Sequence, residues 1–250
     1  MIENRETYNS PSVVNWYLNL KGLEPVEKKV FETYSDFISK ANLLDIGVGG
    51  GRTTEYLQGK CKTYTGIDFS ESFVKAVQHK FKNTNIFNAD ARELPFQNDE
   101  YTFVNFSFNG IDYVNLTDRE KILREIHRVL IPGGVFFFST HNLNHPAFNT
   151  FPWKNTANSF FTNIKTLIKL LPFIPRKFVN RKQEAFHSEY AIVNDFAHNY
   201  SLLTFYTTAE FLTKQLLQFG FTNIVFYSRS GKKIAKDDAG DWIFVTCEKT

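Results

Sequence analysis

Between Leu43 and Thr140 five short apolar runs alternate with stretches of helical pattern, and this alternation restricts the fold more than any other feature of the chain. The runs are Leu43 to Gly47, Tyr64 to Asp68, Asn85 to Asn88, Tyr101 to Phe108 and Val135 to Thr140. Helical spacing fills Arg52 to Leu57, Ser70 to Phe81 and Thr117 to Leu130, with Phe73, Val77 and Phe81 on one face of the second. Strands joined in this way wind into a parallel sheet with right-handed crossovers and helices on both faces, which makes the fold doubly wound α/β. A chain of 250 residues suits one such core enlarged by insertions.

The rest of the chain is read around that core. Residues 1–40 form an N-terminal helical cap, with helices over Val13 to Leu20 and Pro25 to Ile38, and residues 41–141 form the core itself. Residues 142–206 read as an inserted helical lid that binds substrate, punctuated by Pro146, Pro152, Pro172 and Pro175. Residues 207–250 return to the core as a helix over Thr208 to Phe219 and a hairpin of Asn223 to Tyr227 and Trp242 to Glu248 at the sheet edge. A net charge of +3 gives no footprint for nucleic acid. Cys61 and Cys247 are too few for a disulfide framework, and the sequence shows no signal-like start or long apolar stretch, so a soluble, cytoplasmic monomer or homodimer is expected. The 27 phenylalanines suit a ring-rich core or a pocket walled by rings.

In an open parallel sheet, ligands bind beyond the carboxyl ends of the strands where the winding reverses, and the chemistry-bearing motifs fall there. Asp45 to Gly51 is a strand end that becomes a glycine loop and then a helix, with Gly47 and Gly49 placed to let a ligand approach the backbone. A dinucleotide fingerprint would put its third glycine where Arg52 stands, so an NAD(P)-type oxidoreductase is the alternative reading rather than the first. Asp68, at the end of the second strand, can accept both hydroxyls of a ribose or cap the helix that follows. Asp90 can accept from an adenine amino group while the Ala91 amide donates to the ring, with Phe69 and Phe96 offering apolar faces; the bland reading of Asp90 is a turn cap.

Together these residues resemble the class I S-adenosylmethionine-dependent methyltransferase family over about residues 40 to 140, and the run Glu125 to Gly134 before the last strand strengthens the likeness. The resemblance implies a seven-stranded sheet with one antiparallel edge strand and S-adenosyl-L-methionine as cofactor, leaving S-adenosyl-L-homocysteine. Asp45 would orient the loop around the cationic methionine moiety, or bond the loop's own amides. Ser107 and Phe108 match where the family holds methionine. Asn109-Gly110 replaces the acid- or proline-rich motif used for amino groups of nucleic-acid bases.

On the acceptor side His141 is the candidate base, with Tyr113 beside it, since a histidine titrates near neutrality. Tyr8, Tyr17, Asn109, Asn142, His187, Tyr190, His198 and Tyr200 are candidate substrate contacts. His187 and His198 lack metal-ligand spacing, and no metal is expected. The expected reaction moves a methyl group to an oxygen or nitrogen of a small-molecule or sugar-like acceptor, as in surface-glycan or secondary-metabolite synthesis; a catalytically silent S-adenosylmethionine-binding module would share the same motifs. Lys165, Lys169, Arg176, Lys177, Arg181 and Lys182 form a basic band across 164–182 that reads as a solvated face, a phosphate contact or a membrane-surface contact.

Overall fold

A computed structural model describes residues 4–146, 148, 171–195, 198–235 and 240–250. Five strands in chain order, β1 (Asn42–Ile46), β2 (Thr63–Asp68), β3 (Asn85–Asn88), β4 (Tyr101–Phe106) and β5 (Leu130–Asn142), pair in parallel in the order β3-β2-β1-β4-β5. The winding therefore reverses between β1 and β4, and a cleft opens there beyond the strand ends.

Alternation of side-chain direction along each strand builds the two layers of core. Leu44, Val104, Phe136 and Phe138 face one layer with Ile122, Ile126 and Leu212, whereas Leu43, Phe103 and Phe137 face the other with Val30, Phe31 and Val77. Phe136 and Phe138 stack with ring centroids 4.4 Å apart. Each fully buried ring of this kind contributes about 1.5–3 kcal/mol relative to leaving it in water. Much of the phenylalanine excess is thus spent on the core.

The crossover helices start where the sequence supplies caps. Ser70 Oγ accepts from the Phe73 amide to open Glu71–Lys80, and Asn115 accepts from the Asp118 amide to open Leu116–Val129. The helix expected over Pro25 to Ile38 divides at Tyr34 into Pro25–Thr33 and Ser35–Ile38.

Two expectations change. The antiparallel strand is not at the edge: β11 (Trp242–Lys249) lies between β5 and β9 (Phe221–Tyr227), antiparallel to both, while β10 (Lys233–Ile234) borders β9. Burial explains the order, because Phe244, Val245 and Cys247 are covered on both faces, whereas Ile224 and Val225 of β9 are only half-buried. The second change concerns the insertion. Its described part ends in an antiparallel ribbon, β6 (Ala185–Phe186), β7 (Tyr190–Val193) and β8 (Thr204–Thr207), and β8 pairs in parallel with the far end of β5 through His141↔Tyr206 and Asn142↔Thr207. β-branched and aromatic residues in Tyr190–Val193 and Thr204–Thr207 favour a pleated strand over the helices expected there. Of the basic band, Lys165 and Lys169 lie outside the described residues, as does Pro152.

Candidate active site

Beyond the ends of β1, β2 and β4 lies a cavity of about 470 Å³, within the range of small-molecule sites. Its floor is the glycine loop. Gly49 holds a φ of 50°, in the left-handed region where an L side chain is strained. Gly50 is fixed by close approach instead: a Cβ there would stand 2.2 Å from the carbonyl oxygen of Tyr17. The N-terminal helix Pro11–Asn19 is thereby seated directly on the loop.

Asp68 ends β2 with both oxygens anchored. Oδ2 accepts from the Gly49 amide at 2.9 Å and Oδ1 from the Ser70 amide at 2.8 Å. Burial pushes its carboxyl up to about 6, against the opposing pull of those two amides. Each oxygen keeps a second acceptor position, and Asp68 lines the cavity. The capping and ligand-facing roles therefore coexist in one side chain.

Phe69, Asp90, Ala91, Ser107 and Phe108 also line the cavity. Asp90 already grips Arg92, whose guanidinium donates to Oδ2 at 2.6 Å and whose amide donates to Oδ1 at 2.9 Å, while Arg92 also reaches Asp118. Burial raises the Asp90 carboxyl, but Arg92 outweighs it and leaves the group below its usual range. Phe96 stands away from the cavity, packed on Phe87 and Tyr101.

Part of the wall is aromatic. Tyr8, Tyr17 and Tyr113 line it, with Tyr8 edge-on to both Phe69 and Tyr113 at 5.5 Å. Asn4 donates to the Tyr113 carbonyl at 2.6 Å and Ser70 donates to Asn9 Oδ1 at 2.7 Å, which closes the N-terminal segment over the cleft. Burial, reinforced by neighbouring phenols and, for Tyr113, also by Asp195 and Asp112, lifts Tyr8 and Tyr113 well above the ordinary phenol value, and burial raises Tyr17 to about 12. All three phenols stay neutral. His198 stands behind this wall, its Nε2 3.5 Å from the Tyr17 hydroxyl, with burial lowering its pKa against the pull of Asp195.

Several expected contacts are placed elsewhere. Asp45 is buried beneath the loop and lines no part of the cavity; its carboxylate accepts from Thr53, Tyr64 and Asn105 at 2.7, 2.7 and 2.6 Å, all side chains rather than loop amides. His141 also lies outside the cavity wall. Its Nδ1–H donates to Asp112 at 2.7 Å, leaving Nε2 facing the Asn109 side-chain amide at 3.2 Å. Asn109 is buried behind Phe108, and Asn142 is turned to Gly240 and Asn144. His187 and Tyr190 stack on each other at 4.3 Å, with Tyr190 against Phe205 and Phe211, while the Tyr200 carbonyl is taken by Asn180 and Asn194. The ribbon carries these residues away from the cleft.

Two features were missed. Arg52, read only as an absent glycine, lines the cavity with its guanidinium paired to Glu27, bonded to the Gly22 carbonyl at 3.1 Å and 5.0 Å from the Phe108 ring centre. Asp112 and Arg119 form a fully buried ion pair at 2.6 Å, and Asp112 also accepts from Thr140, the His141 amide and the His141 ring. The Glu27 signal was available as a capping-box glutamate. The Asp112–Arg119 spacing of seven carries no comparable motif.

A protein-family model described as a methyltransferase domain matches residues 44–138, the segment that builds this floor and both strand-end acids. Residues 44–138 thus carry a methyltransferase domain of the class I type. A demethylmenaquinone methyltransferase of Listeria welshimeri is 35% identical to this chain over 103 residues, covering 39% of the chain and 40% of the relative. The chain thus spans about two fifths of the curated relatives it matches at this level. Among solved structures, the CcbJ methyltransferase of Streptomyces caelestis superimposes with a TM-score of 0.63 at 12% identity, covering 98% of both chains. A Burkholderia thailandensis 1,6-didemethyltoxoflavin-N1-methyltransferase, solved with that compound and S-adenosylhomocysteine, gives 0.56 at 15% identity over 90% of this chain and 78% of its own. At such identity the likeness concerns the fold.

Proposed function

We propose that the chain uses S-adenosylmethionine to methylate an oxygen or nitrogen of an uncharged small molecule, with a planar or sugar-like body that rests on the aromatic wall. The observation that carries this reading is the convergence of Gly49, Asp68 and Ala91 with the rings of Tyr8, Tyr17 and Tyr113 on one cavity. The donor and acceptor set fits the cofactor: the second acceptor positions of Asp68 suit a ribose diol, the Ala91 corner suits a base edge, and Arg52 with the loop suits an amino-acid carboxylate. When bound, the cofactor supplies a methyl group on a sulfonium, which loses its charge on transfer.

The protein's part is positioning. Holding acceptor and methyl carbon in line is worth roughly 7–11 kcal/mol at its best, and no new anion needs a dedicated site. Tyr113, held neutral by burial, serves as a hydrogen-bond donor rather than a base. With both His141 nitrogens engaged, the proton of a hydroxyl acceptor would have to leave by another route, which favours a neutral nitrogen nucleophile that attacks the methyl carbon without first losing a proton. The relatives named for demethylmenaquinone and 1,6-didemethyltoxoflavin support a small-molecule acceptor.

Calorimetry with S-adenosylmethionine and with NAD tests the reading first. Binding of the former alone, followed by methyl transfer from labelled cofactor to a member of a neutral phenol, amine and sugar panel, is expected. Preference for NAD, or a tight cofactor complex with transfer only to charged acceptors, would overturn it.

A further inference from the structure

The described part of the basic band carries an apolar stripe that the core does not use. On the short helix Ile174–Asn180, Pro175, Phe178 and Val179 recur at helical spacing and are all exposed. Phe178 and Val179 are 65% and 71% exposed, and Phe186 on the adjoining strand β6 is 55% exposed. These are the larger share of the exposed large hydrophobics among the described residues.

The opposite side of this helix is already committed. Asn180 donates to the Tyr200 carbonyl at 3.0 Å, and the Lys177 ammonium lies over the Tyr200 ring and within 3.4 Å of the Asn194 carbonyl. The helix therefore has a docked face, and the apolar pair is turned outward by that docking. A single exposed ring on a protein surface means little, but an outward apolar helix pair bordered by charge of one sign marks a contact surface.

The border decides the partner. Arg176, Arg181 and Lys182 are exposed beside the stripe. Over 171–188 the single acid is Glu184, whose carboxylate is turned inward to the Asn194 amide at 3.0 Å. Cations that stand around inserting rings suit an anionic phospholipid surface, where the charges meet headgroups and the rings enter the acyl boundary. A soluble acidic protein would satisfy the charges but leaves the outward Phe178 and Val179 to find a matching groove.

We infer that the face of Phe178 and Val179, flanked by Arg176, Arg181 and Lys182, docks the protein reversibly on anionic lipid bilayers. The inference does not depend on the cofactor or acceptor reading. Through Asn180 and Tyr200 the docked helix is joined to the turn that carries His198 against Tyr8 and Tyr17, so the lipid-facing surface and the aromatic wall belong to one connected unit.

The test is flotation of the full chain with vesicles of phosphatidylcholine alone or mixed equally with phosphatidylglycerol. Binding to the mixed vesicles, weaker in high salt and lowered about tenfold or more both by R181E/K182E and by F178S/V179S, is expected. Retained S-adenosylhomocysteine affinity and far-ultraviolet circular dichroism in both variants show that they fold. Three outcomes would overturn the inference: no flotation with anionic vesicles, equal flotation with neutral ones, or variants that float like the parent. A shift from dimer to monomer in the variants without any lipid binding would assign the face to a second copy of the chain instead, and would equally overturn it.

Discussion

Asp68 and Asp112 are both buried aspartates at the edge of the same cleft, yet they are used in opposite ways. Asp68 takes one amide on each oxygen and keeps acceptor capacity facing the cavity. Asp112 spends its oxygens on Arg119, Thr140 and both the amide and ring of His141, and faces no cavity. The same contrast runs through their surroundings. On the side of β1 and β2 the polar groups are backbone amides and strand-end acids that present themselves to a ligand; on the side of β5 and β8 they satisfy one another and leave rings to form the wall. A buried acid thus marks a binding site only where its bonds leave something over.

The largest effect that would sharpen this contrast is expected at Arg119. Arg119→Met removes the charge partner of a fully buried carboxylate and should cost about 3–5 kcal/mol in urea or thermal unfolding, while S-adenosylhomocysteine affinity measured below the transition changes little. A loss below about 1 kcal/mol would mean that the cluster is not what holds the acceptor side together. Next in size is Gly50→Ala, where the added Cβ collides with the Tyr17 backbone. Overpacking of that kind costs about 1–3 kcal/mol and should expose the helix Pro11–Asn19 to limited proteolysis, weakening ligand binding as the N-terminal segment lifts.

A smaller, pH-dependent effect follows from Asp68. Its carboxyl is raised from 3.8 to about 6 by burial. A raised acid stabilises the fold below its ordinary value, and that contribution is lost as pH rises through about 6. The unfolding free energy of the parent should therefore fall as pH rises through about 6, a fall that Asp68→Asn abolishes, and cofactor affinity of the parent should fall as the pH drops through the same range because the ribose needs the ionised form. Matching titrations of affinity and unfolding free energy for parent and variant check both signs. Smallest of all is His141→Ala, which should leave S-adenosylhomocysteine affinity within about twofold, since the ring touches no cavity surface. A tenfold loss would move His141 back into the binding site.

The two sides also differ in how far the sequence disclosed them. Local spacing was enough for β1 to β5, the glycine loop and the carboxylate that ends β2, because a strand end, a glycine turn and a helix cap are written within a few residues of one another. The place of β11 inside the sheet is a matter of strand order, which no local pattern encodes; only its two-sided burial explains it afterwards. Tyr190 and Tyr200 looked like ligand contacts because they are polar-tipped rings, but pairing of β7 with β8 turns Tyr190 to Phe205 and Phe211. Asp45 looked like part of the loop, and the three side chains that claim it come from three separate elements. Arg52 was visible only as a broken glycine pattern, and its pairing with Glu27 gives the substitution its sense.

Isothermal titration of S-adenosylhomocysteine into the parent and Asp68→Ala addresses the ligand-facing carboxylate most directly. With two hydrogen bonds to a charged group removed, each worth about 1.5–3 kcal/mol, affinity should fall roughly a hundredfold or more while the fold persists. Equal affinity in the two proteins would show that the carboxylate at the end of β2 only caps its own turn, and would contradict the proposed cofactor site.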